Sequence, residues 1–302
     1  MSGAPVQVAA VVVTFNSAEH IDALLASIPA AMGELTYSVV VVDNGSSDDT
    51  VHLLADRRDC LLVRSTNDGY AAGINRAVRA SPAHVSVLIL NPDATLDSGS
   101  VPAMRDAMRR TGAGIVAPRV READGSLSPT LRRSPSLARV GGLSFTRWPV
   151  FAERVEDPRE YEREHEVSWA VGAILLIDAA CYAQLDGWDE SFFLYSEETD
   201  FSLRAKDAGW PTVYTPAAGA VHIGGGSGES ATTHTMKMVN RVRIYRRRAG
   251  TARAWVYFWL TVFTEMRRAA LGHDRSWPTV RALLRPSLRP DALRADDGLL
   301  PR

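Results

Sequence analysis

The chain has 302 residues with a formal net charge of −1, and 46% of them are apolar. Such a chain can bury a sizeable core in one large or two small domains, and its balanced charge argues against nucleic-acid binding. Its two cysteines, Cys60 and Cys181, argue against a disulfide framework or a zinc site. Without a signal peptide or a run of about 18 apolar residues, we expect a cytoplasmic protein, free or peripheral at a membrane.

Strand and helix patterns alternate through the first 118 residues. Continuous β-branched runs predict strands at 6–15, 38–43, 61–64, 84–90 and 114–118. The spacing of apolar residues predicts helices at 18–28, from Val51 onward, at 70–79 and at 98–110. Strands that alternate with helices pair in parallel through right-handed crossovers, so the sequence predicts an α/β fold.

The pattern changes in the second half of the chain. From about 130 to 166 it gives way to arginine, proline and charge, and we expect so long an irregular stretch to be functional or mobile. Order returns at 169–177, where WAVGAILLI predicts a strand that runs into a short helix. Two short strands are predicted within 211–223, followed by a flexible glycine-rich loop at 224–228.

Oxygen-bearing side chains follow the strand predicted at 84–90. Asn91 and Asp93 lie just beyond this strand in LILNPDATL, and such ligands suit Mg²⁺ or Mn²⁺. The alternative is an ordinary Pro-Asp turn. His222 closes a later strand, where a neutral imidazole ligates metals, although a lone histidine there is more often a hydrogen-bonded surface residue.

Asp43 ends the second predicted strand, beside Asn44-Gly45. Its carboxylate could accept a hydrogen bond from a nucleobase or ribose. Asp48 or Ser47 could instead cap the next helix, a role that needs no ligand. Taken alone, this segment favours capping.

The acidic segment at 195–210 predicts a helix with two adjacent glutamates near its start. Glu198 falls on one stripe with Phe201, Ala205 and Ala208, which predicts that it faces inward. Glu197 shares its face with Asp200 and Arg204, which are spaced as an ion pair. The simplest alternative is that these acids only stabilise the helix N-terminus.

The end of the chain is locally basic and aromatic. An arginine cluster at 241–248 precedes AWVYFWLTVF at 254–263. Basic residues and aromatics together suggest an interfacial segment on an anionic membrane. An amphipathic helix that packs on the rest of the chain, or across a homodimer, explains the same pattern.

Seven segments occur in order along the chain: VVVTFN, VVDNGSSDDT, NDGYAAGIN, NPD, GAILLI, GWDESFFLYSEETDFSLRAKDAGW and VHIGGGSG. Together they resemble the family 2 glycosyltransferases with a GT-A fold, especially their rhamnosyltransferase branch, over about residues 6–250. The resemblance implies a single mixed, mostly parallel Rossmann-like sheet flanked by helices. It implies a catalytic domain at 1–235, with a nucleotide-binding half at 1–118 and an acceptor-binding half at 119–235, and a basic helical extension at 236–302.

The resemblance also implies roles for individual residues. The nucleotide-sugar site would comprise Thr14, Phe15, Asn16, Asp43, which would contact the base, Asn67, Gly69, Tyr70, Asn75, Asn91, Asp93 and Arg119. The metal, Mg²⁺ or Mn²⁺, would be held by Asp93 and His222. Asn91 replaces the first acid of the family's Asp-x-Asp motif, so Asp93 would carry most of the metal binding.

Glu198 would be the catalytic base, at a position where the family usually has aspartate. The acceptor site would comprise Trp169, Gly172, Trp188 and Glu197. For Arg119, Trp169 and Trp188 the alternative is a role in the fold, since aromatics at strand ends are more often core. Together these roles imply an inverting, metal-dependent transferase.

The resemblance favours dTDP-L-rhamnose as donor, with UDP-sugars and other deoxysugar nucleotides left open. The implied acceptor is a hydroxyl of a glycan or of a polyprenyl-diphosphate-linked sugar in cell-wall or polysaccharide assembly, at the inner face of the plasma membrane. Two other classes compete. A nucleotidyltransferase would need a glycine-rich basic loop near the first strand, which VVVTFNSAEH lacks, and a non-catalytic sugar-nucleotide-binding protein would not need Glu198.

Overall fold

The computed structural model describes residues 4–142, 146, 148–223 and 230–293. Its strands are β1 Val6–Thr14, β2 Tyr37–Asp43, β3 Leu61–Arg64, β4 His84–Leu90, β5 Ala94–Leu96, β6 Ile115–Arg121, β7 Leu131–Arg132, β8 His165–Val167, β9 Trp169–Ala170, β10 Ile174–Asp178 and β11 Thr212–His222. Its α-helices are α1 Ile21–Met32, α2 Thr50–Ala55, α3 Tyr70–Ala80, α4 Ser100–Thr111, α5 Leu137–Val140, α6 Ala179–Gln184, α7 Glu197–Asp207, α8 Ala231–Arg248, α9 Thr251–Ala270 and α10 Ser276–Leu284.

The strand order of the main sheet is β3-β2-β1-β4-β10-β6-β11-β5, and β8 pairs with β11 at the side. β1 is parallel to β2 and β4, β2 to β3, and β6 to β11. β10 runs antiparallel to both of its neighbours. The predicted mixed, mostly parallel α/β sheet is confirmed.

The sheet is buried on both faces because helices cover both. Successive residues of β1 alternate between two apolar clusters: Val12 packs with α1 and α4, and Val11 packs with α3 and α7. This explains the continuous β-branched run at the start of the chain, since no face of β1 meets water.

Several element predictions are refined. The two strands predicted within 211–223 are one strand, β11, whose pairing with β6 shifts register between Thr215 and Gly219, so a β-irregularity gave the appearance of two strands. The run at 169–177 is divided into β9 and β10. The glycine-rich loop predicted at 224–228 lies outside the described residues.

The irregular stretch at 130–166 contains short elements held by a buried tyrosine. Tyr161 is fully buried. Its hydroxyl donates to Val155 O at 2.9 Å and accepts from Leu131 N at 3.0 Å. This part of the stretch is therefore pinned by side-chain hydrogen bonds rather than by a regular ladder, which explains why it lacks periodicity.

The C-terminal helices pack against each other and against the sheet domain. Tyr245 of α8 stacks on Tyr257 of α9 with ring centroids 4.0 Å apart. The domain boundary predicted at 235/236 falls inside α8, and the division into domains stays a prediction. None of the helices in the described ranges is long and apolar enough to cross a membrane.

Candidate active site

The carboxyl ends of β1 and β2 are joined by hydrogen bonds between their loops. Thr14 lies opposite Asp43 in the parallel ladder, and its hydroxyl donates to Asp43 Oδ1 at 3.0 Å. Asp43 Oδ2 accepts from Gly45 N at 3.1 Å and Ser46 N at 3.0 Å, while Oδ1 also accepts from the Ser46 hydroxyl. With both carboxylate oxygens filled by protein donors, the geometry favours Asp43 as an organiser of the loop after β2. Its contact with a nucleobase stays a prediction.

The loop after β1 presents an aromatic side chain beside this turn. Phe15 is 52% exposed, and Asn16 has a left-handed φ of 53°. Asn16 N donates to the Ser46 hydroxyl at 2.8 Å, and Asn16 Oδ1 accepts from Ser47 N at 2.8 Å. The two strand-end loops are thus tied together and leave the Phe15 ring available for stacking on a planar ligand.

The helix-capping interpretation of the same segment is partly confirmed. Asp48 Oδ1 accepts from Thr50 N, the first residue of α2, at 3.1 Å, and Oδ2 accepts from Ala18 N at 3.0 Å. Asp48 therefore holds the start of α2 and also ties it to the loop before α1.

The loop before α3 packs tightly against the chain that leads to the two glutamates. Gly69 has a φ of 101°, and a Cβ there would lie 2.5 Å from the carbonyl oxygen of Phe193, so only glycine fits. Tyr70 N donates to the same carbonyl at 2.8 Å. Asn67 Oδ1 accepts from Gly69 N at 3.3 Å. Gly69 is needed for this close approach.

Asn75 has a scaffold role in this structure. Its Nδ2 donates to Trp188 O at 2.8 Å and to Glu190 Oε1 at 2.9 Å. Its Oδ1 accepts from Trp188 N at 2.9 Å and from the Tyr182 hydroxyl at 2.5 Å. The amide is therefore fully used in fixing the 187–190 turn, and direct contact of Asn75 with a donor sugar stays a prediction.

Asp93 and His222 meet although 129 positions separate them. The short strand β5 pairs with β11 so that His222 lies opposite Ala94. Asp93 Oδ1 then lies 3.1 Å from His222 Nε2, and Asn91 Nδ2 lies 3.5 Å from the same nitrogen. The Tyr70 hydroxyl donates to Asn91 Oδ1 at 2.7 Å. The sheet thus assembles the predicted metal residues at one edge.

The electrostatics of this edge keep Asp93 ionised. Burial by itself raises the pKa of the Asp93 carboxyl, but the hydrogen bond and charge of His222 outweigh it, and the pKa is lowered overall. A charged carboxylate with a neighbouring imidazole is a donor set that Mn²⁺ accepts, and Mg²⁺ is bound in proteins by one or two carboxylates plus substrate phosphates. Asp93 and His222 therefore fit a divalent cation, for which a diphosphate would supply further oxygen ligands. No group of three histidine, cysteine, aspartate or glutamate side chains with metal-binding geometry occurs among the described residues.

The glutamate pair begins α7 after two residues in left-handed conformation, Tyr195 and Ser196, with φ of 66° and 77°. Glu198 lies against Gly172, where an added Cβ would be 3.2 Å from Glu198 Cβ. Glycine at 172 therefore makes room for this side chain. The left-handed backbone at Tyr195 and Ser196 is strained, and such strain is typical of sites where the surrounding structure fixes a functional side chain.

The burial of the two glutamates differs from the prediction that Glu198 is the one facing inward. Glu197 is 4% exposed and the more deeply buried, whereas Glu198 is half-buried. The stripe argument assumed a helix buried on one side, but α7 is buried on nearly every side, so Glu197 is buried although it lies off the predicted stripe. The ion pair predicted for Asp200 and Arg204 is confirmed at 2.6 Å.

Both glutamates hold protons more readily than ordinary carboxyl groups. Burial and the charge of Glu198 raise the pKa of Glu197 well above its usual value. Burial raises the pKa of Glu198 as well, although Arg132 and Lys237 partly oppose it. Glu197 Oε2 has no hydrogen-bond partner among the residues described. The pair therefore suits proton transfer.

Tyr70 links the two acidic groups. Burial and then the negative charges of Glu197, Glu198 and Asp93 raise the pKa of its hydroxyl, so all three carboxyls act on the same ring. Tyr70 also meets Trp188 edge-on, with centroids 6.2 Å apart. The predicted donor side and base side of the site thus converge at Tyr70.

The predicted sugar and acceptor aromatics belong largely to the core. Trp188 is 2% exposed and stacks on Phe201 at 5.5 Å. Trp169 is buried, and its indole N–H donates to Arg133 O at 3.2 Å. Arg119 is exposed near the carboxyl end of β6. The alternative of a core role therefore describes both tryptophans.

Sequence reasoning missed Asn240 of α8. This fully buried residue donates from Nδ2 to Leu194 O at 3.0 Å and to Tyr195 O at 2.9 Å, and its Oδ1 accepts from Arg243 at 3.0 Å. It therefore holds the strained backbone just before Glu197. No local pattern in the sequence could reveal a contact between residues so far apart in the chain.

Known proteins resemble this chain in sequence and in fold. The family profile described as Glycosyl transferase family 2 matches residues 9–170. The N-acetylglucosaminyl-diphospho-decaprenol L-rhamnosyltransferase of Mycobacterium tuberculosis is 34% identical over 230 residues, 70% of this chain and 74% of that protein.

Solved structures of low identity resemble the whole fold. Staphylococcus aureus TarS in complex with UDP-GlcNAc is 13% identical with a TM-score of 0.54, over 95% of this chain and 83% of that one. GalNAc-T7 with UDP, GalNAc and Mn²⁺ is 11% identical with a TM-score of 0.59, over 92% of this chain and 54% of that one. At these identities the likeness shows the fold alone, and that fold is GT-A.

Proposed function

The chain belongs to glycosyltransferase family 2, and we propose that it transfers L-rhamnose from dTDP-L-rhamnose to a hydroxyl of a polyprenyl-diphosphate-linked sugar. The observation that carries this proposal is the identity with the mycobacterial L-rhamnosyltransferase, whose name specifies both the sugar and a lipid-linked acceptor. The nucleotide follows from the resemblance to the rhamnosyltransferase branch. The reaction belongs to cell-wall or polysaccharide assembly at the inner face of the plasma membrane.

The donor side of the site supports this proposal through Asp93 and His222. They would hold Mg²⁺ or Mn²⁺, whose chemistry is to neutralise negative charge on the diphosphate of the donor and of the leaving nucleotide. Phe15, exposed beside the β2 loop, offers its ring to the nucleobase. The ionised state of Asp93 suits it for this role because the carboxylate carries the negative charge that a protonated carboxyl group lacks.

The base side supports the proposal through Glu198. Its carboxylate takes the proton of the acceptor hydroxyl while that oxygen attacks the anomeric carbon. The bond from this carbon to the diphosphate oxygen breaks, and the nucleoside diphosphate leaves with the bonding electrons. A pKa raised above the ordinary value makes Glu198 a stronger base near neutral pH. One displacement inverts the anomeric centre, so no carboxylate nucleophile is required.

The test is transfer from a panel of sugar nucleotides to a synthetic N-acetylglucosaminyl-diphospho-polyprenol, with Mg²⁺ or Mn²⁺ and again with EDTA. The proposal expects product from dTDP-L-rhamnose and a loss of product with EDTA. Product from a UDP-sugar alone would replace the donor. Tight binding of dTDP-L-rhamnose without transfer to any acceptor would favour a sugar-nucleotide-binding protein over an enzyme.

A further inference from the structure

A stripe of large apolar side chains on α9 faces solvent. Its members follow helical spacing and lie on one side of the helix. They are Trp255, Trp259, Phe263 and Met266, exposed by 38%, 49%, 62% and 45%, with Val256 beside them at 48%. Isolated exposed apolar residues are ordinary, but a continuous aromatic stripe on one helix marks a contact surface.

The exposed stripe is not the face through which α9 packs on the rest of the protein, because the helix has a separate buried face. Tyr257, Phe258 and Val262 are buried in the apolar cluster between α8, α9 and α10. The helix is therefore anchored to the protein through one side and presents the other side outward. The following helix α10 also exposes Trp277 and Leu284, each by nearly half.

The charges around the stripe are almost all positive. Between residues 250 and 288 the basic residues are Arg253, Arg267, Arg268, Arg275, Arg281 and Arg285, and the acidic ones are Glu265 and Asp274. Glu265 is buried, lies 2.9 Å from the ring of His234 and 3.9 Å from Arg268 Nε, so among these arginines it offsets Arg268. Tryptophan and phenylalanine beside arginine match the headgroup zone of a bilayer that contains anionic lipid.

We propose that the exposed faces of α9 and α10 dock on the surface of an anionic lipid bilayer, with α9 parallel to the membrane plane. The helix lies on the membrane rather than across it, since its other face is held by α8. The choice of a bilayer over a protein partner rests on the arginines and on the proposed lipid-linked acceptor, so this step rests on the proposed function.

The docked helices are mechanically connected to the base side of the active site. α8 packs on α9 through Tyr245 and Tyr257. Asn240, also on α8, binds the carbonyls of Leu194 and Tyr195 just before Glu197. Docking would therefore hold the loop that carries the glutamate pair at a fixed height over the bilayer, where a lipid-linked acceptor presents its sugar.

Flotation of the full chain with lipid vesicles tests this proposal without donor or acceptor. The vesicles contain phosphatidylcholine alone or phosphatidylcholine with phosphatidylglycerol. We expect the protein to float with the anionic vesicles. Combining Trp255→Ser, Trp259→Ser and Phe263→Ser should weaken this binding by about tenfold or more, since three aromatic side chains that would insert into the headgroup zone are removed. Combining Leu61→Ser with Val85→Ser removes exposed apolar residues from the strands of the nucleotide half and should leave it unchanged.

The charge part of the proposal has its own variant. Arg253→Gln with Arg281→Gln should lower binding to anionic vesicles by about tenfold and leave weak binding to neutral vesicles unaffected. Circular dichroism and thermal unfolding show that each variant is folded. Because vesicle binding needs no turnover, a failed transferase assay does not bear on it.

Three results would overturn the proposal. The wild-type chain could fail to float with either vesicle. The aromatic variant could float as well as wild type. The chain could form a dimer in sedimentation velocity that the aromatic variant disrupts, without any vesicle binding, which would assign the stripe to a second copy of the chain instead.

Discussion

Asp93 at the end of β4 and the Glu197–Glu198 pair at the start of α7 are acidic groups that act on the same tyrosine, Tyr70, yet their surroundings handle protons in opposite ways. His222, 3.1 Å away, keeps Asp93 charged against the effect of burial. The charges of Arg132 and Lys237 offset the effect of burial on Glu198 only in part, and the pKa values of both glutamates rise. Environment, more than residue type, therefore separates a group suited to hold a cation from one suited to accept a proton.

The sharpest test of this comparison is Glu198→Gln, which keeps the shape of the side chain and removes the basic carboxylate. We expect transfer to fall by about 10²- to 10⁴-fold, the usual contribution of a general base. Donor affinity should stay within about twofold, because Glu198 is not expected to contact the donor diphosphate. Transfer is followed by product formation and donor affinity by calorimetry. A Glu198→Gln enzyme that transfers at the wild-type rate would remove Glu198 as the base.

The opposite result is expected for Asp93→Ala. Donor affinity in the presence of Mn²⁺ should fall by about a hundredfold, since several kcal/mol of cation binding are lost. Asp106→Ala, at an exposed carboxylate of α4, is the matched control and should bind donor normally. Equal metal-dependent affinity in Asp93→Ala and wild type would show that another group holds the cation.

A smaller effect is expected for Asn240→Ala, which leaves both acidic groups in place but loosens the glutamate pair. Two part-buried backbone carbonyls, those of Leu194 and Tyr195, lose their donor, and the free energy of unfolding should fall by about 1–3 kcal/mol. The misplaced pair should lower kcat on the order of tenfold with little change in the KM for donor. Denaturant unfolding and steady-state kinetics measure both. Thr232→Ala, on the exposed side of α8, should change neither, and a normal kcat in a destabilised Asn240→Ala would limit Asn240 to a structural role.

The smallest effect concerns how the two glutamates share protons. Since the base must be unprotonated, kcat/KM should fall with decreasing pH. The acidic limb of the pH profile, where this fall occurs, should lie above pH 4.5, the ordinary glutamate value. Glu197, the more deeply buried of the two, should still carry its proton when Glu198 ionises. Glu197→Gln mimics that state, so the limb should stay within about 0.5 pH units. A shift of more than one unit to lower pH would show that Glu197 is charged in the active form.

The strands and helices of the first half were predictable because the spacing of their apolar residues matches the pattern of burial in the structure. The run VQVAAVVVT could only be a strand covered on both faces, and β1 is that strand. The register shift in β11 and the three-residue β5 were not predictable, because so short an element has no measurable period. Yet β5 is what places His222 beside Asp93.

The site was predictable as a set of residues but not as a set of roles. Asp43 and Asn75 were expected at the donor, and the structure shows their polar atoms occupied by the loops they organise. Which glutamate is deeper depends on how many elements surround α7, and the order of residues within one helix does not contain that information. Asn240 was missed for the same reason, since its partners come from a distant loop.

The anomeric configuration of the product tests most directly whether Glu198 acts as a base in a single displacement. Nuclear magnetic resonance of the product formed from dTDP-L-rhamnose and the synthetic lipid-linked acceptor would report it. We predict the configuration opposite to that of the donor. A product that retains the donor configuration would require a covalent or front-face route and would contradict the role assigned to the glutamate pair.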